Sequence, residues 1–369
     1  MRNHKTGGAD RQTAQDMQPQ TRIISGDCVA GMASIPAGSV HCVITSLPYW
    51  GLRDYGADGQ IGQEETAADY VSRMVAVFAA VRRILRDDGT LWLNLGDTYR
   101  RGQLCGIPWR VAFALQGDGW RLRQDVIWHK PNPMPSSVRD RCTTAHEYLF
   151  MLAKSPRYFF DATAIREPQS GPIQRRNFGN AAARAIGKGM SGNEGRGIAW
   201  SDTGFRNRRS VWKLPTRAYR GAHFAVMPQA LVEPCILSGT SSDGCCASCG
   251  APRTRTVSRE RVATRPGKDT KATGNAAREG NRDPLRHITR TETIGWKPSC
   301  QCNAARIPCT VFDPFAGSGT TLAVAAQLGR SGLGCELNPD YIALAHERIS
   351  EAKSTSSAER QAPRQARTA

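Results

Sequence analysis

A run of β-branched residues, Val43-Ile44-Thr45, breaks off into Ser46-Leu47-Pro48-Tyr49-Trp50-Gly51. A hydroxyl, a proline and two aromatic rings at a strand end can accept hydrogen bonds from a planar ligand and stack on its face. A second pattern stands near the other end of the chain. Asp313-Pro314-Phe315-Ala316-Gly317-Ser318-Gly319-Thr320-Thr321 follows the strand Thr310-Val311-Phe312 and opens a helix. Gly317 and Gly319 let the backbone come close to a ligand, and the helix start presents unbonded N–H groups. The next strand ends in Glu336, the place from which an acid grips ribose hydroxyls in nucleotide-type folds. The competing reading is a plain strand–helix turn with a surface glutamate. No lysine follows the glycines and no third glycine completes G-x-G-x-x-G, which disfavours a phosphate-bearing ligand.

Cysteines form the third pattern. Cys246-x-x-Cys249 and Cys300-x-Cys302 are two pairs of the kind that hold a structural zinc tetrahedrally, with Cys245 adjacent. The alternative is four unliganded thiols on a surface loop. Catalytic zinc does not fit, because no histidine or carboxylate accompanies the set. The remaining cysteines, Cys28, Cys42, Cys105, Cys142, Cys235, Cys309 and Cys335, stand singly and are expected as small buried hydrophobes.

The elements that must position these residues follow from periodicity. Strands are expected at TRIIS, VHCVITS, TLWLNL and DVIWH. Tyr70, Met74, Val77, Phe78, Val81 and Leu85 lie at helical spacing, with Gly89 as the stop. IPWRVAFALQGDG predicts a second helix, and EYLFMLAKSPRYFFD a hairpin. The last strand–loop–helix–strand–helix run completes an alternating α/β pattern, which calls for a mostly parallel sheet covered by helices. Residues 1–20 and those from 353 are polar and aperiodic, and are expected as a flexible arm and tail.

Of 369 residues, 50 are Lys or Arg and 32 Asp or Glu, a formal charge of +18. The surplus is concentrated. Arg166 to Arg220 holds twelve basic residues against three acids, and Arg253 to Lys297 twelve against five. Such clustering points to a polyanionic partner, nucleic acid first. No apolar run is long enough to span a bilayer and no secretory leader is seen, so a cytoplasmic protein without membrane contact is expected.

The loop DPFAGSGTT resembles the S-adenosylmethionine loop of the amino-methylating DNA methyltransferases. TSLPYWGLRDYG resembles their catalytic segment, whose pattern is Asp/Asn/Ser-Pro-Pro-Tyr or Phe. GDCVAGMASIPAGSV, WHKPNPMPSSVRDRCTTAHEYLF and HFAVMPQALVE resemble further segments of the same family. Catalytic segment first and cofactor loop last is the permuted order of its β class. The resemblance therefore implies a Rossmann-like methyltransferase sheet, circularly permuted, with a target-recognition insertion and a zinc-knuckle insertion. Its parts would be a catalytic half at 21–163, a recognition region at 164–220, a cofactor-pocket segment at 221–239, a cysteine-rich basic insertion at 240–303 and a cofactor-binding half at 304–352.

The resemblance also assigns roles. The Ser46 hydroxyl and the Leu47 carbonyl would accept from the exocyclic amine of a flipped base, while Pro48 shapes the turn and Tyr49 stacks. Asp27 would accept from the adenine of S-adenosylmethionine, Glu336 from its ribose, and Asp313, Phe315, Gly317, Gly319 and Thr320 would line its loop. Asn94 and Asp97 are placed near the pocket without a role. Phe205, Trp212 and nearby arginines are candidate DNA contacts. A serine in the first position favours N4 of cytosine, with N6 of adenine as the alternative. Leu47 departs from the family proline, losing a fixed φ and adding an N–H, and implies slowed or retuned activity. A silent DNA-binding homologue and an RNA methyltransferase are the rival readings. Ring methylation at carbon 5 is excluded, since Pro234-Cys235 and Pro308-Cys309 fall in a predicted helix and beside the cofactor strand. Double-stranded DNA and a cognate restriction nuclease are the candidate partners.

Overall fold

The computed structural model describes residues 18–52, 56, 59–168, 205–216, 226–263 and 287–361. In chain order the elements begin with β1 (Thr21–Ser25), α1 (Cys28–Ala33), β2 (Val40–Ser46), α2 (Ala67–Ile84) and β3 (Leu85–Leu95). The short strands β4 (Tyr99–Arg100) and β5 (Gln103–Leu104) precede α3 (Ile107–Gly117), β6 (Arg121–His129) and β7 (His146–Ala153). Next come β8 (Glu167–Pro168), β9 (Phe205–Arg206), β10 (Val211–Lys213), α4 (Gln229–Gly239), β11 (Cys245–Cys246), β12 (Thr254–Ala263) and β13 (His287–Lys297). The chain closes with β14 (Arg306–Ile307), β15 (Thr310–Asp313), α5 (Thr320–Gln327), β16 (Ser331–Glu336) and α6 (Pro339–Gln361).

The described residues divide into two compact units. One takes those up to Ile165, those of Arg209–Thr254 and those from Pro298 onward; the other takes those of Arg166–Arg208 and Arg255–Lys297. The expected insertion at 240–303 is thus split. Its cysteine-bearing ends belong to the larger unit, and only its middle to the smaller. The smaller unit contains the antiparallel pair β8–β9, tied by an Arg206–Glu167 ion pair, and the pair β12–β13, where Arg255 lies over the Trp296 ring.

The larger unit is built on an eight-stranded sheet of order β1-β16-β15-β2-β3-β7-β6-β10. β1, β16, β15, β2 and β3 pair in parallel, and β7 runs antiparallel to both β3 and β6. Side chains of period two sort the core onto two faces. Val43, Leu91, Leu93, Phe150 and Leu152 point to one face, where they join Tyr70, Met74, Phe78 and Val81 of α2 and Val111 and Leu115 of α3. Cys42, Ile44, Trp92, Leu149 and Met151 point to the other, against Leu231, Val232 and Ile236 of α4 and Val324 of α5. Burial on both faces explains why VHCVITS reads as an almost unbroken apolar run.

Several expectations need correction. The α2 stripe is present and Thr66 caps it by accepting from Asp69 N, but the helix ends at Ile84 and Leu85 opens β3. Gly89 lies inside that strand, where the β2–β3 register shifts between Val40 and Cys42. The hairpin expected at EYLFMLAKSPRYFFD is one strand, β7, whose antiparallel neighbours are β6 and β3; residues 154–161 form no strand. The tail is helical to Gln361, since neither Gly nor Pro interrupts 353–361. Cys142 is exposed, and Cys105 half-buried, so neither is the core hydrophobe expected. Trp212 is a core residue of β10, buried beside Trp92, with its indole N–H donated to Arg209 O. It is unavailable to DNA; Phe205 remains exposed. The arm at 1–17 and most of the recognition region lie outside the described residues. Among the described residues, no helix is long and apolar enough to cross a membrane.

Candidate functional site

Parallel strands deliver all their C-terminal ends to one edge, and the residues that follow them form a cleft there. Asp27 follows β1, Ser46 ends β2 and leads into Leu47 to Tyr49, Asp313 ends β15 and leads into Pro314 to Thr320, and Glu336 ends β16; all but Pro314, Ala316 and Ser318 of these are singled out by sequence, and all but Gly319 line the cleft. Gly319 instead lies against α6: a Cβ there would approach the Ala345 Cβ to 2.7 Å. Its lack of a side chain permits helix packing rather than ligand approach.

In the half of the cleft nearer β16, Glu336 accepts from Gly317 N at 2.7 Å and Asn338 N at 2.9 Å. Burial pushes its carboxyl above the ordinary range. Two N–H donors leave a carboxylate with further lone pairs, so ribose hydroxyls could still be accepted. Asp27 spends one oxygen on capping α1, accepting from Val29 N and Ala30 N at 3.0 and 2.9 Å. Asp313 is fully enclosed. Burial raises its carboxyl to about 6, against the pull of the Phe315 N–H at 3.0 Å. Buried Arg348 donates to the hydroxyls of Thr320 and Ser318 at 2.7 and 3.1 Å, bracing the loop from α6. These groups, with no phosphate-holding lysine among them, fit a nucleoside-type ligand. Asn338 and Tyr341 also line this part; nothing in the sequence reading had marked them.

The other half holds the strand end of β2. Leu47 is buried at 3 % exposure among Trp50, Ile61 and Tyr70, and its N–H reaches Asn94 O at 3.2 Å. Proline has no N–H to give there, so leucine's extra donor extends the β2–β3 ladder by one bond. The Pro48 carbonyl accepts from Tyr70 OH at 2.8 Å. Packing and hydrogen bonds together hold the turn that a proline ring would otherwise stiffen. Asn94 lines the cleft; Asp97 does not, and instead accepts from Gly106 N and Ile107 N at 3.0 Å, capping α3 from outside. Glu147, Lys130 and Trp128 also reach the cleft. Sequence reading passed over them, although an acid heading the apolar strand HEYLFMLA was a visible signal.

Away from the cleft, the sulfurs of Cys246, Cys249, Cys300 and Cys302 all lie within 4.8 Å of one another. Tetrahedral zinc about 2.3 Å from each sulfur would set them roughly 3.8 Å apart, so the cluster fits the metal. The Cys249 and Ser248 backbone N–H groups point at Cys246 and lower its thiol to about 6. His41, Cys245 and Cys309 form a second, buried group. There the histidine is committed: Nδ1 accepts from Thr310 N at 3.0 Å, and Nε2 donates to Gly250 O at 2.8 Å. With both ring nitrogens used, this group does not offer a metal site.

A family model described as DNA methylase, of the N6/N4 type, matches residues 40–247 and 309–347. The type II methyltransferase M.Cfr9I of Citrobacter freundii is 35 % identical over 356 residues, covering 89 % of this chain and 87 % of that protein. M.SmaI of Serratia marcescens, also a type II methyltransferase, is 35 % identical over 357 residues, covering 89 % and 90 %. Among solved structures, the PvuII DNA methyltransferase, described as cytosine-N4-specific, aligns over 92 % of this chain and 95 % of its own with a TM-score of 0.54 at 16 % identity. That likeness shows a shared fold.

Two outcomes follow from the cleft. Leu47→Pro removes the bond to Asn94 O and a buried side chain, with a partial entropic offset, and should cost about 1–3 kcal/mol. Calorimetry should record a melting point lower by several degrees, and methyl transfer should not rise. A variant that melts higher, or gains an activity the parent lacks, would sink this account of Leu47. Asp313 has the opposite sign from a salt-bridged acid. Its carboxyl is raised from 3.8 to about 6 in the fold. The penalty is therefore absent below pH 4 and grows as pH rises to about 6. Asp313→Asn should stabilise the ligand-free protein at pH 7.5 by on the order of 2–3 kcal/mol, with the gain gone at pH 4. A pH-independent difference in melting point would contradict it.

Proposed function

The chain belongs to the N6/N4 amino-methylating DNA methyltransferase family, and from that premise we propose a β-class, type II modification enzyme that methylates N4 of cytosine in double-stranded DNA. The carrying observation is Ser46 at the end of β2, with Leu47 beside it in the cleft. An exocyclic amine is a weak nucleophile because its lone pair is delocalised into the ring. Two acceptors on its N–H groups favour the pyramidal nitrogen of the transition state, and fixed acceptors do so without reorganising. A neutral hydroxyl at the first position, together with the cytosine-N4-specific enzyme among the fold relatives, favours cytosine over adenine.

S-adenosylmethionine supplies an electrophilic methyl group when bound. The Glu336 carboxylate would hold its ribose, Asp27 its adenine amine, and the loop Asp313 to Thr320 its remaining contacts. Tyr49 would stack on the flipped base. The order of the parts, with catalytic strand end before cofactor loop, is the permuted arrangement of the β class. Leu47 supports an active enzyme rather than a silent one, because its own N–H and the Pro48 carbonyl that follows are both hydrogen-bonded. The basic stretches 166–220 and 253–297 suit DNA phosphates. The type II names of the relatives support a cognate restriction nuclease as partner, with both acting in the cytoplasm. Cys246, Cys249, Cys300 and Cys302 would hold one structural zinc.

Expression in a methylation-deficient host, followed by nucleoside mass spectrometry, should reveal N4-methylcytosine that vanishes with Ser46→Ala. N6-methyladenine in its place would overturn the choice of base, and no modified base would overturn the activity. Elemental analysis of purified protein should find about one zinc per chain. Stripping it with a chelator should lower the melting point, whereas Cys249→Ser should bind less metal from the start. Metal-free protein of unchanged melting point would remove the zinc proposal.

A further inference from the structure

In the cleft, Glu147 joins three side chains from three other segments, Tyr49, Asn94 and Lys130. β7 runs antiparallel to β3, so its first residues lie at the same edge where the parallel strands end. Glu147, the second residue of β7, therefore enters the cleft beside Tyr49. One carboxylate oxygen, Oε2, accepts from the Tyr49 hydroxyl at 2.5 Å and from Asn94 Nδ2 at 3.0 Å. The other, Oε1, pairs with Lys130 Nζ, which also sits 4.6 Å from the Trp128 ring centre. Glu147 retains only 13 % of its side-chain exposure. A carboxylate so enclosed needs partners to offset its lost hydration, and Lys130 is one of them.

The tyrosine ring is fixed from a second direction. A Cβ at Gly96 would come within 2.8 Å of Tyr49 Cε2 and 3.5 Å of Glu147 Cδ. The ring thus lies directly against the Gly96 backbone, while its hydroxyl is tied to a charged acceptor. Hydrogen bonds to an ionised partner are about twice as strong as neutral ones. A ring held at its edge and at its hydroxyl has little torsional freedom left to lose when a base arrives.

We propose that Glu147, held in place by its ion pair with Lys130, is a positioning residue that fixes the Tyr49 ring to receive the flipped base. The proposal rests on the methyltransferase reading, in which Tyr49 is the stacking residue. Glu147 does not touch the reacting atoms; it acts through Tyr49. Pre-set geometry of this kind matters most after the base is extruded, because a ring out of place forfeits both stacking and alignment.

A double-mutant cycle tests it. Tyr49→Phe removes only the hydroxyl, Glu147→Ala removes its acceptor together with the Asn94 and Lys130 contacts, and each should lower kcat/KM for DNA by roughly 10- to 100-fold. The double variant should be no worse than the poorer single one, since both delete the same contact. KM for S-adenosylmethionine should stay within a few-fold of the parent. With 2-aminopurine at the target position, both single variants should change the fluorescence of the bound duplex alike, reporting a flipped base less well stacked. Glu147→Gln keeps an oxygen for the hydroxyl and should recover most of the fluorescence signal; it also serves if the alanine variant does not fold. Losses that multiply in the double variant, or a Glu147→Ala enzyme with unchanged kcat/KM and fluorescence, would overturn the positioning role while leaving the methyltransferase reading intact. A parent protein that methylates no DNA would overturn both.

Discussion

The pairing of β15 with β2 is the constraint on which the rest of the molecule depends. Val311 lies opposite Cys42 and Phe312 opposite Val43, joining strands from opposite ends of the chain. Only this ladder brings Asp313 and Glu336 to the edge where Ser46 and Tyr49 emerge. Its closure carries a large loop entropy that local hydrogen bonds must offset. His41 contributes at that seam. Its two ring nitrogens bond to Thr310 N at the start of β15 and to Gly250 O, so one buried side chain links three segments remote in sequence. The two nitrogens also set the tautomer, with the proton on Nε2 facing the carbonyl.

The parts of the site that sequence made legible are those carried by local pattern. A strand that ends in Ser-Leu-Pro-Tyr, and a strand that turns through glycines into a helix, each declare their position within about ten residues. Parallel packing then does the rest, which is why Asp27, Ser46, Asp313 and Glu336 meet in one cleft. Lys130 was not legible, and Glu147 only as an acid heading an apolar strand, because their meaning depends on a neighbour. β7 contributes its first residues to the active edge only by running against β3, and no local period reveals strand direction. Trp212 failed in the reverse sense. In an arginine-rich stretch its ring looked available to bases, yet β10 pairs with β6 and buries it against Trp92. The helix stop misplaced at Gly89 has a similar origin: helix and strand abut without a loop, and the glycine serves the register shift within β3 rather than a cap.

Leu47 shows how one departure from a pattern is absorbed. Proline restricts the chain before folding, whereas leucine must be restrained by the fold itself. Here the restraint has three sources: a side chain buried among Trp50, Ile61 and Tyr70, an N–H bonded to Asn94 O, and a following carbonyl held by Tyr70 OH. Asn94 is also the residue whose side chain meets Glu147. The Asn94 carbonyl thus braces the end of β2, while its side-chain amide braces the Tyr49 ring through Glu147. A substitution that loosened Asn94 would disturb both the β2 strand end and the Tyr49 ring.

The four-cysteine cluster belongs to the same mechanical argument. Its knuckle does not hang free: Cys249 O accepts from Arg86 Nη1 at 2.6 Å, and Gly250 O from His41. Arg86 is itself clamped by Asp88 at 2.7 Å within β3. The knuckle is therefore bonded to β2 and β3, the two strands that carry Ser46 and Asn94 to the cleft. Ordering the cysteines fixes two carbonyls at the base of those strands, and those carbonyls satisfy donors that would otherwise be buried beside the seam. A cluster away from the cleft can in this way set how firmly the end of β2 is held, without contributing any atom to it.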